Sequence, residues 1–336
     1  MNIITVGIDL AKNVFAVHGV NDSGKPVLVK PKVSRADLPP LITQLPPCLI
    51  GMEACSGAHH WARLFRKYGH TVKLMAPKFV APYRMTGKRG KNDAADAAAI
   101  CEAVTRPNML FVPVKEEHQQ IILCLHRTRQ GFVEERTSSY NRLRGLIAEF
   151  GIVLPQKVTC LRREIGAHLE DLPGYANLCV GDLLAHADEL DNKIAEYDRA
   201  IAKAAREDAR SKRLMKLPGI GPVTASIGCG HDFDSGRQVA AWIGLVPGQY
   251  SSGGKARLGR ITKAGDGYLR SLLVMGARAV LNSLGDKQDR FSRWARALEE
   301  RRGYWRAVIA IAAKNARLAW AMLKYGEDFK LELGIE

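Results

Sequence analysis

The chain begins with apolar and polar positions alternating at the two-residue period of β-strands. Ile3–Asp9, Val14–Val20 and Pro26–Lys30 read as three strands, and Asn21-Asp22-Ser23-Gly24 joins the last two as a hairpin turn. Ser34 is suited to cap a short helix running toward Leu45. The period then switches back and forth. Cys48–Glu53 is a buried-type strand, Gly57–Tyr68 a helix that stops at Gly69, His70–Met75 a strand, and Pro77–Met85 helical. Gly87-Lys-Arg-Gly90-Lys91 is a basic loop. Asn92 can cap a helix that carries Asp93 and Asp96 on one face.

From about Glu116 to Ala205 the helical period takes over in two long patterns, interrupted at Leu154-Pro155 and at the Leu172-Pro-Gly turn. In the second pattern Leu183, Ala187, Leu190, Ile194, Tyr197, Ile201 and Ala204 step by four and three, a heptad stripe. Tyr140, Leu143, Ile147 and Phe150 repeat it more briefly in the first. The stripe serves equally an intrachain helical hairpin or an interchain coiled coil. The last third holds Leu217-Pro-Gly-Ile-Gly-Pro-Val-Thr-Ala225, then a Gly- and Ser-rich stretch, Gly248–Gly265, then helices rich in Ala, Leu and Arg from Tyr268 to Tyr325.

A strand meander followed by alternating helices and strands is the element order of the ribonuclease H/RuvC-like fold. The expected class is therefore α/β plus α: a RuvC/RNase H-like domain over 1–114, a helical region over 115–206, and a mainly helical C-terminal domain with a helix–hairpin–helix-like element over 207–336. A length of 336 residues fits two or three domains, and 46% hydrophobic residues supply a real core.

Charge changes the picture. The net formal charge is +16, which favours a polyanionic partner, nucleic acid first. Residues 206–306 hold 19 Lys/Arg against 9 Asp/Glu and so carry +10 of it. No stretch approaches a membrane span, and the N-terminus lacks a basic leader and cleavage site, so a cytoplasmic protein is expected. Seven cysteines, 48, 55, 101, 124, 160, 179 and 229, contain no CxxC pair, so single buried thiols are expected rather than a zinc site or a disulfide framework.

Against this basic background four carboxylates stand out: Asp9 in VGIDLAK, Glu53 in LIGMEACSG, and Asp93 with Asp96 in KNDAADAAAI. Carboxylates gathered at one point repel unless a cation neutralises them. Mg2+ takes oxygen ligands, and two such ions roughly 3.5–4 Å apart assist attack on phosphodiesters. Any one of these acids alone is a surface carboxylate or a helix cap. Together, in this order of elements, they read as a metal site.

Two further constellations concern DNA. The Leu217–Ala225 turn resembles a helix–hairpin–helix, with Gly219 and Gly221 offering backbone N–H groups to a phosphate and Lys212, Arg213 and Lys216 just before it. A plain interhelical turn has the same composition. In the Gly-rich stretch, Ser251 and Ser252 are surrounded by Lys255, Arg257, Arg260, Lys263 and Arg270. A serine there can attack a phosphate, or the loop can simply grip DNA backbone. No base lies nearby in sequence. His59 and His60, on the helix after Glu53, fit packing or solvent exposure better than substrate contact, and Trp294, Trp305 and Trp320 fit core packing better than base stacking.

GIDLAK, GMEACSG and KNDAADA, taken with Gly244, Pro247, Ser252-Gly253, Gly259, Ile261, Lys263, Gly265 and Leu269-Arg270, resemble the motifs of the IS one-ten family of insertion-sequence transposases, including the subgroup around the IS eleven-eleven elements. The resemblance spans essentially the whole chain. It implies that Asp9, Glu53, Asp93 and Asp96 hold Mg2+ and that a C-terminal serine forms a covalent phosphoserine link to DNA. Counting from Pro247 selects Ser252, with Ser251 as substitute. It further implies a structured guide (bridge) RNA pairing with donor and target double-stranded DNA, a homodimer assembling to a homotetramer, no membrane, and a prokaryotic, nucleoid-associated cytoplasmic setting. The alternatives are a metal-only nuclease of Holliday-junction resolvase type and a non-catalytic nucleic-acid-binding scaffold.

Overall fold

The computed structural model describes residues 2–84, 93–226 and 233–330. Met85, the Gly87–Lys91 loop, the Asn92 cap and Cys229 lie outside the described residues. The chain forms two compact units, Met1–Gln120 and Ile121–Glu336. Among the described residues no helix is long and apolar enough to cross a membrane.

The first unit contains β1 (Thr5–Asp9), β2 (Val14–Val20), β3 (Pro26–Ser34), α1 (Leu38–Thr43), β4 (Leu49–Glu53), α2 (Ala58–Lys67), β5 (Thr71–Met75), α3 (Pro77–Val80) with a 3-10 turn over Ala81–Tyr83, α4 (Asp93–Ala103) and β6 (Phe111–Val112). The sheet order is β3-β2-β1-β4-β5-β6, with β1, β4 and β5 parallel and the rest antiparallel to their neighbours. The third strand runs four residues past Lys30 and carries a bulge there, with Pro31 and Lys32 opposite Ala16 alone, which accommodates Pro31 on this edge strand. Ser34 does not cap α1. Asp37 takes the cap position, and the Ser34 hydroxyl instead donates to the Asp37 carboxylate at 2.6 Å, closing the turn before the helix.

Strand alternation sorts the two faces. Val6, Ile8, Ile50, Met52, Val72 and Leu74 pack with Leu38 and Ile42 of α1 and Trp61 and Phe65 of α2. Gly7, Gly51 and Met75 turn to the opposite face, where Met75 packs with Ile100, Ala103 and Val104 at and beyond the end of α4. Two close approaches set that helix down on the sheet. A Cβ on Gly7 would stand 2.2 Å from the Ala97 carbonyl oxygen, and one on Gly51 would stand 2.7 Å from Val104 Cβ. Only glycine fits at these places, and the Ala-rich helix supplies the thin face that meets them.

The second unit carries nearly all of α5 (Glu117–Ala148), then α6 (Val158–Leu169), α7 (Tyr175–Glu207), α8 (Ala209–Leu214), α9 (Pro222–Ala225), α10 (Gly236–Trp242), the hairpin β7 (Pro247–Ser252) and β8 (Lys255–Ile261), α11 (Gly267–Asn282), α12 (Arg290–Arg302) and α13 (Tyr304–Tyr325). The two long helices pair within the chain. Arg129 meets Asp198, Phe132 and Tyr197 stack edge to face at 5.5 Å, and Arg136 meets Asp191, so the helices run antiparallel. Tyr140, Leu143 and Ile147 share one core with Val180 and Ala187 and with Leu161 and Ile165 of the intervening α6. Phe150 does not extend that stripe; it lies past the helix end and is exposed. The other core gathers Leu273, Ala277, Val280, Val308, Ile311 and Ala312 of α11 and α13.

Two side-chain expectations need correcting. Trp320 is buried and donates to the Phe233 carbonyl, but Trp305 is 64% exposed, with the Arg278 guanidinium over its ring, because α13 begins there with no element covering it among the described residues. The described cysteines are free, yet Cys55, Cys124 and Cys179 are exposed; only Cys48 and Cys101 are buried, where desolvation pushes each thiol up to about 11.

Candidate active site

β1 and β4 are parallel neighbours in register at Ile8 and Met52, so Asp9 and Glu53 end adjacent strands at the same edge. Both fall on the face that Gly7 and Gly51 present to α4. Asp93 and Asp96 lie in the first turn of that helix, where its dipole favours negative charge. The close seat of α4 on Gly7 brings them to Asp9. Carboxylate oxygens of Asp9, Asp93 and Asp96 all lie within 4.8 Å of one another.

Glu53 is engaged differently. Arg84, just after the 3-10 turn, donates from Nη2 to Glu53 Oε1 at 3.0 Å and sets its Nε 2.9 Å from Asp96 Oδ1. The second contact is an ion pair rather than a hydrogen bond, because the Nε–H is not aimed at the oxygen; that buried donor has no hydrogen-bond partner among the described residues. Burial first, and then Asp96, Glu53 and Asp93, raise the Asp9 carboxyl to about 6, with Arg84 pulling the other way. An all-oxygen set whose members repel one another to this degree fits a hard divalent cation. Sequence reasoning missed Arg84. Its partners lie 31 and 12 positions away, and only the tertiary fold puts them in reach.

His59 serves packing. Its Nδ1 accepts from the Lys115 backbone N–H at 3.1 Å, and burial with Lys115 and Arg63 lowers it to about 4, so the ring is neutral.

In the second unit the Gly- and Ser-rich stretch is not a loop but the β7–β8 ribbon. Gly253 and Gly254, with φ of 58° and 76°, make the turn, and Ser252 pairs with Lys255, Ser251 with Ala256, and Tyr250 with Arg257. The Tyr250 ring lies over Gly248 and Gly259, supplying the cover that two glycines in strands lack. Ser-Gly-Gly-Lys between alternating residues was the readable hairpin signal. By alternation Ser252 shares a face with Tyr250, Lys255 and Arg257, while Ser251 faces the other way and accepts from Gln249 Nε2 at 2.7 Å. Among the described residues no hydrogen bond engages the exposed Ser252 hydroxyl.

The other candidate contacts divide. Lys255, Arg257 and Arg260 are exposed along β8, and Lys263 follows with a left-handed φ of 53°. Arg270 is turned inward and donates to the Ile243 and Ala264 carbonyls at 2.8 and 2.7 Å, locking the base of the ribbon. Lys212 is exposed, whereas Arg213 and Lys216 pair with Asp328. Gly219 packs against Gly276 of α11, so tightly that a Cβ on Gly276 would lie 1.8 Å from the Gly219 oxygen; Gly221 is exposed at the start of α9. This turn opens on a groove of about 1600 Å³ that is also lined by Arg127 and Arg136 of α5.

Comparison with known proteins decides the family. Residues 6–152 match a DEDD-type family described as "Transposase", and residues 211–293 match the "Transposase IS116/IS110/IS902 family". A probable family 20 transposase of Pseudomonas aeruginosa is 44% identical over 96% of this chain and 97% of its own length. The chain belongs to the IS116/IS110/IS902 transposase family. The transposase for insertion sequence element IS1328 of Yersinia enterocolitica is 38% identical over 98% of this chain and 99% of its own length. That for IS1111A of Coxiella burnetii is 36% identical over 97% and 91%. As an IS110-family transposase the chain is expected to bind, cut and rejoin DNA, and its DEDD domain points to a divalent metal.

Proposed function

We propose that this transposase excises and inserts an insertion sequence by serine attack on DNA phosphodiesters, assisted by Mg2+ held on a RuvC/RNase H-like domain. The observation that carries the reading is the gathering of Asp9, Asp93 and Asp96 oxygens within 4.8 Å at the carboxyl end of neighbouring parallel strands, with Glu53 beside them. The strand order and the helix laid across β1 and β4 support the RuvC-like assignment. Asp9, Glu53, Asp93 and Asp96 would hold the metal, which when bound supplies Lewis-acid polarisation of the phosphate and a lower barrier to hydroxyl deprotonation.

Ser252 is the nucleophile. Its Oγ loses its proton and bonds to phosphorus, one phosphate ester bond breaks, and the departing DNA oxygen takes a proton. One ester replaces another, so rejoining needs no ATP. Lys255 and Arg257, on the same ribbon face, hold the phosphate and offset its developing charge. Gly219, Gly221, Lys212, Arg213, Lys216, Arg260, Lys263 and Arg270 belong to the DNA-holding region, the last by fixing the ribbon. A structured guide RNA selects donor and target, and dimers joined into a tetramer bring the serine of one subunit to the acids of another.

The test is a strand-nicked DNA substrate that traps the covalent adduct. Wild type and Ser251→Ala form a denaturation-resistant protein–DNA species in Mg2+, and Ser252→Ala does not. Cleavage by Ser252→Ala with no adduct from any form overturns the serine mechanism in favour of a metal-only nuclease. Sequencing of co-purifying RNA tests guidance: a discrete structured RNA is expected, and bulk cellular RNA overturns it.

A further inference from the structure

Arg84 is the one cation that touches two members of the acidic tetrad among the described residues. It ties an acid on β4 to an acid on α4, at 3.0 and 2.9 Å. Asp96 is therefore shared: it belongs to the trio of carboxylates within 4.8 Å and also faces the guanidinium. A guanidinium does not shed its charge, so a divalent cation entering among these oxygens meets a fixed positive charge only a few Å away. One of the two has to yield.

Arg84 is built to yield. Its side chain is 36% exposed, unlike the buried Asp96 it serves. Its hold is incomplete, since among the described residues the buried Nε–H, although 2.9 Å from Asp96 Oδ1, is not aimed at any hydrogen-bond acceptor. Its backbone stands where the chain leaves the 3-10 turn in extended conformation, outside the sheet and outside α4. Rotating the side chain out disturbs no regular element among the described residues.

We infer that Arg84 is a built-in counter-cation of the acidic site, which keeps Glu53 and Asp96 together when no metal is bound and is displaced by the metal, so that it sets the affinity for divalent cations. The inference rests on the reading of the tetrad as a metal site. It makes Arg84 a brake on metal uptake.

Calorimetric titration of full-length protein with Mn2+, with thermal unfolding recorded alongside, tests this without any turnover. Arg84→Gln keeps the length and removes the charge. It is expected to bind Mn2+ on the order of tenfold more tightly than wild type. It also melts lower than wild type without metal and gains more from metal. Arg84→Lys, which keeps the charge, stays near the wild-type affinity. Equal or weaker binding by Arg84→Gln overturns the inference while leaving the metal reading intact. If neither protein takes up Mn2+ at millimolar concentration, both fall. Should Arg84→Gln not fold, 15N-arginine spectra of wild type decide: the Arg84 Nε–H resonance, assigned by its loss in Arg84→Lys, shifts as Mg2+ is added, and an unmoved signal overturns the proposal.

Discussion

Gly7 of β1 lies directly beneath Ala97 of α4, with 2.2 Å between the place a Cβ would take and the Ala97 carbonyl oxygen. The Cys101 nitrogen is 2.4 Å from the same place. These are backbone atoms of a buried helix, so no rotamer change relieves the clash. Gly7→Ala must lift α4 from the sheet. It is expected to destabilise the protein by about 3 kcal/mol, read as a lowered urea midpoint, the upper range for overpacking. Because Asp93 and Asp96 ride on α4 while Asp9 stays on β1, the folded fraction also loses Mn2+ affinity. Gly131→Ala, mid-helix in α5 with open space around it, is the contrast: a gain of up to about 1 kcal/mol with metal affinity unchanged.

The acidic site gives the protein a pH dependence of definite sign. The Asp9 carboxyl sits at about 6 in the fold, above its ordinary 3.8. Between those values the folded state holds a proton that the unfolded chain does not, so proton uptake favours folding. Metal-free protein is thus expected to gain stability from this residue as pH falls from 7 toward 4. Metal binding responds oppositely, because a metal ligand must be deprotonated. Mn2+ affinity should drop about tenfold per pH unit below about 6 and level off above it. Thermal unfolding with and without Mn2+ across pH 4.5–8 checks both slopes. A metal affinity flat from pH 5 to 7 would remove Asp9 from the ligand set.

Much of this site was legible from local pattern. Alternation put Asp9 and Glu53 at strand ends, and the spacing of Asp93 and Asp96 put them on one helical face, because both depend on residues close in sequence. The counter-charge of Arg84 was not legible, since it depends on how the segment after β5 turns back to the site. The composition of the ribbon, dominated by Gly and Ser, suggests a loop, whereas the Tyr250 ring over two glycines makes a strand of it. α6 hid between two helix-breaking turns. Arg270 looked like a phosphate ligand by composition, yet two carbonyls exposed at the base of the ribbon claim it.

The turn that presents Ser252 depends on two consecutive left-handed residues. Gly253 and Gly254 both have positive φ, the geometry that matches ribbon twist in a two-residue hairpin. Gly254→Val places a β-branched residue there, at roughly 1–2 kcal/mol or more. It is expected to fray the tip and reduce covalent adduct at least tenfold with global stability nearly unchanged, since Ser252 and Lys255 are exposed and outside both cores. Gly253→Asn creates the Asn-Gly pair that this turn favours and should retain the adduct. Equal yields from both variants would show that the ribbon does not position the nucleophile.

The heptad stripe of α7 is filled from within its own chain. Leu143 is 1% exposed and packs in one core with Ile147, Leu161, Ile165, Val180 and Ala187. Leu143→Ala leaves a cavity among residues of three helices and should cost about 3 kcal/mol. An interchain coiled coil through the same stripe would tie that loss to subunit concentration, because unfolding and dissociation would then be coupled. The intrachain pairing requires the reverse. Leu143→Ala lowers the melting temperature by the same amount at 1 and 50 μM protein (about 2–4 °C per kcal/mol at this size) and leaves the mass by light scattering at the wild-type value. A variant that dissociates, or whose loss of stability shrinks as protein concentration rises, would place the stripe between subunits instead.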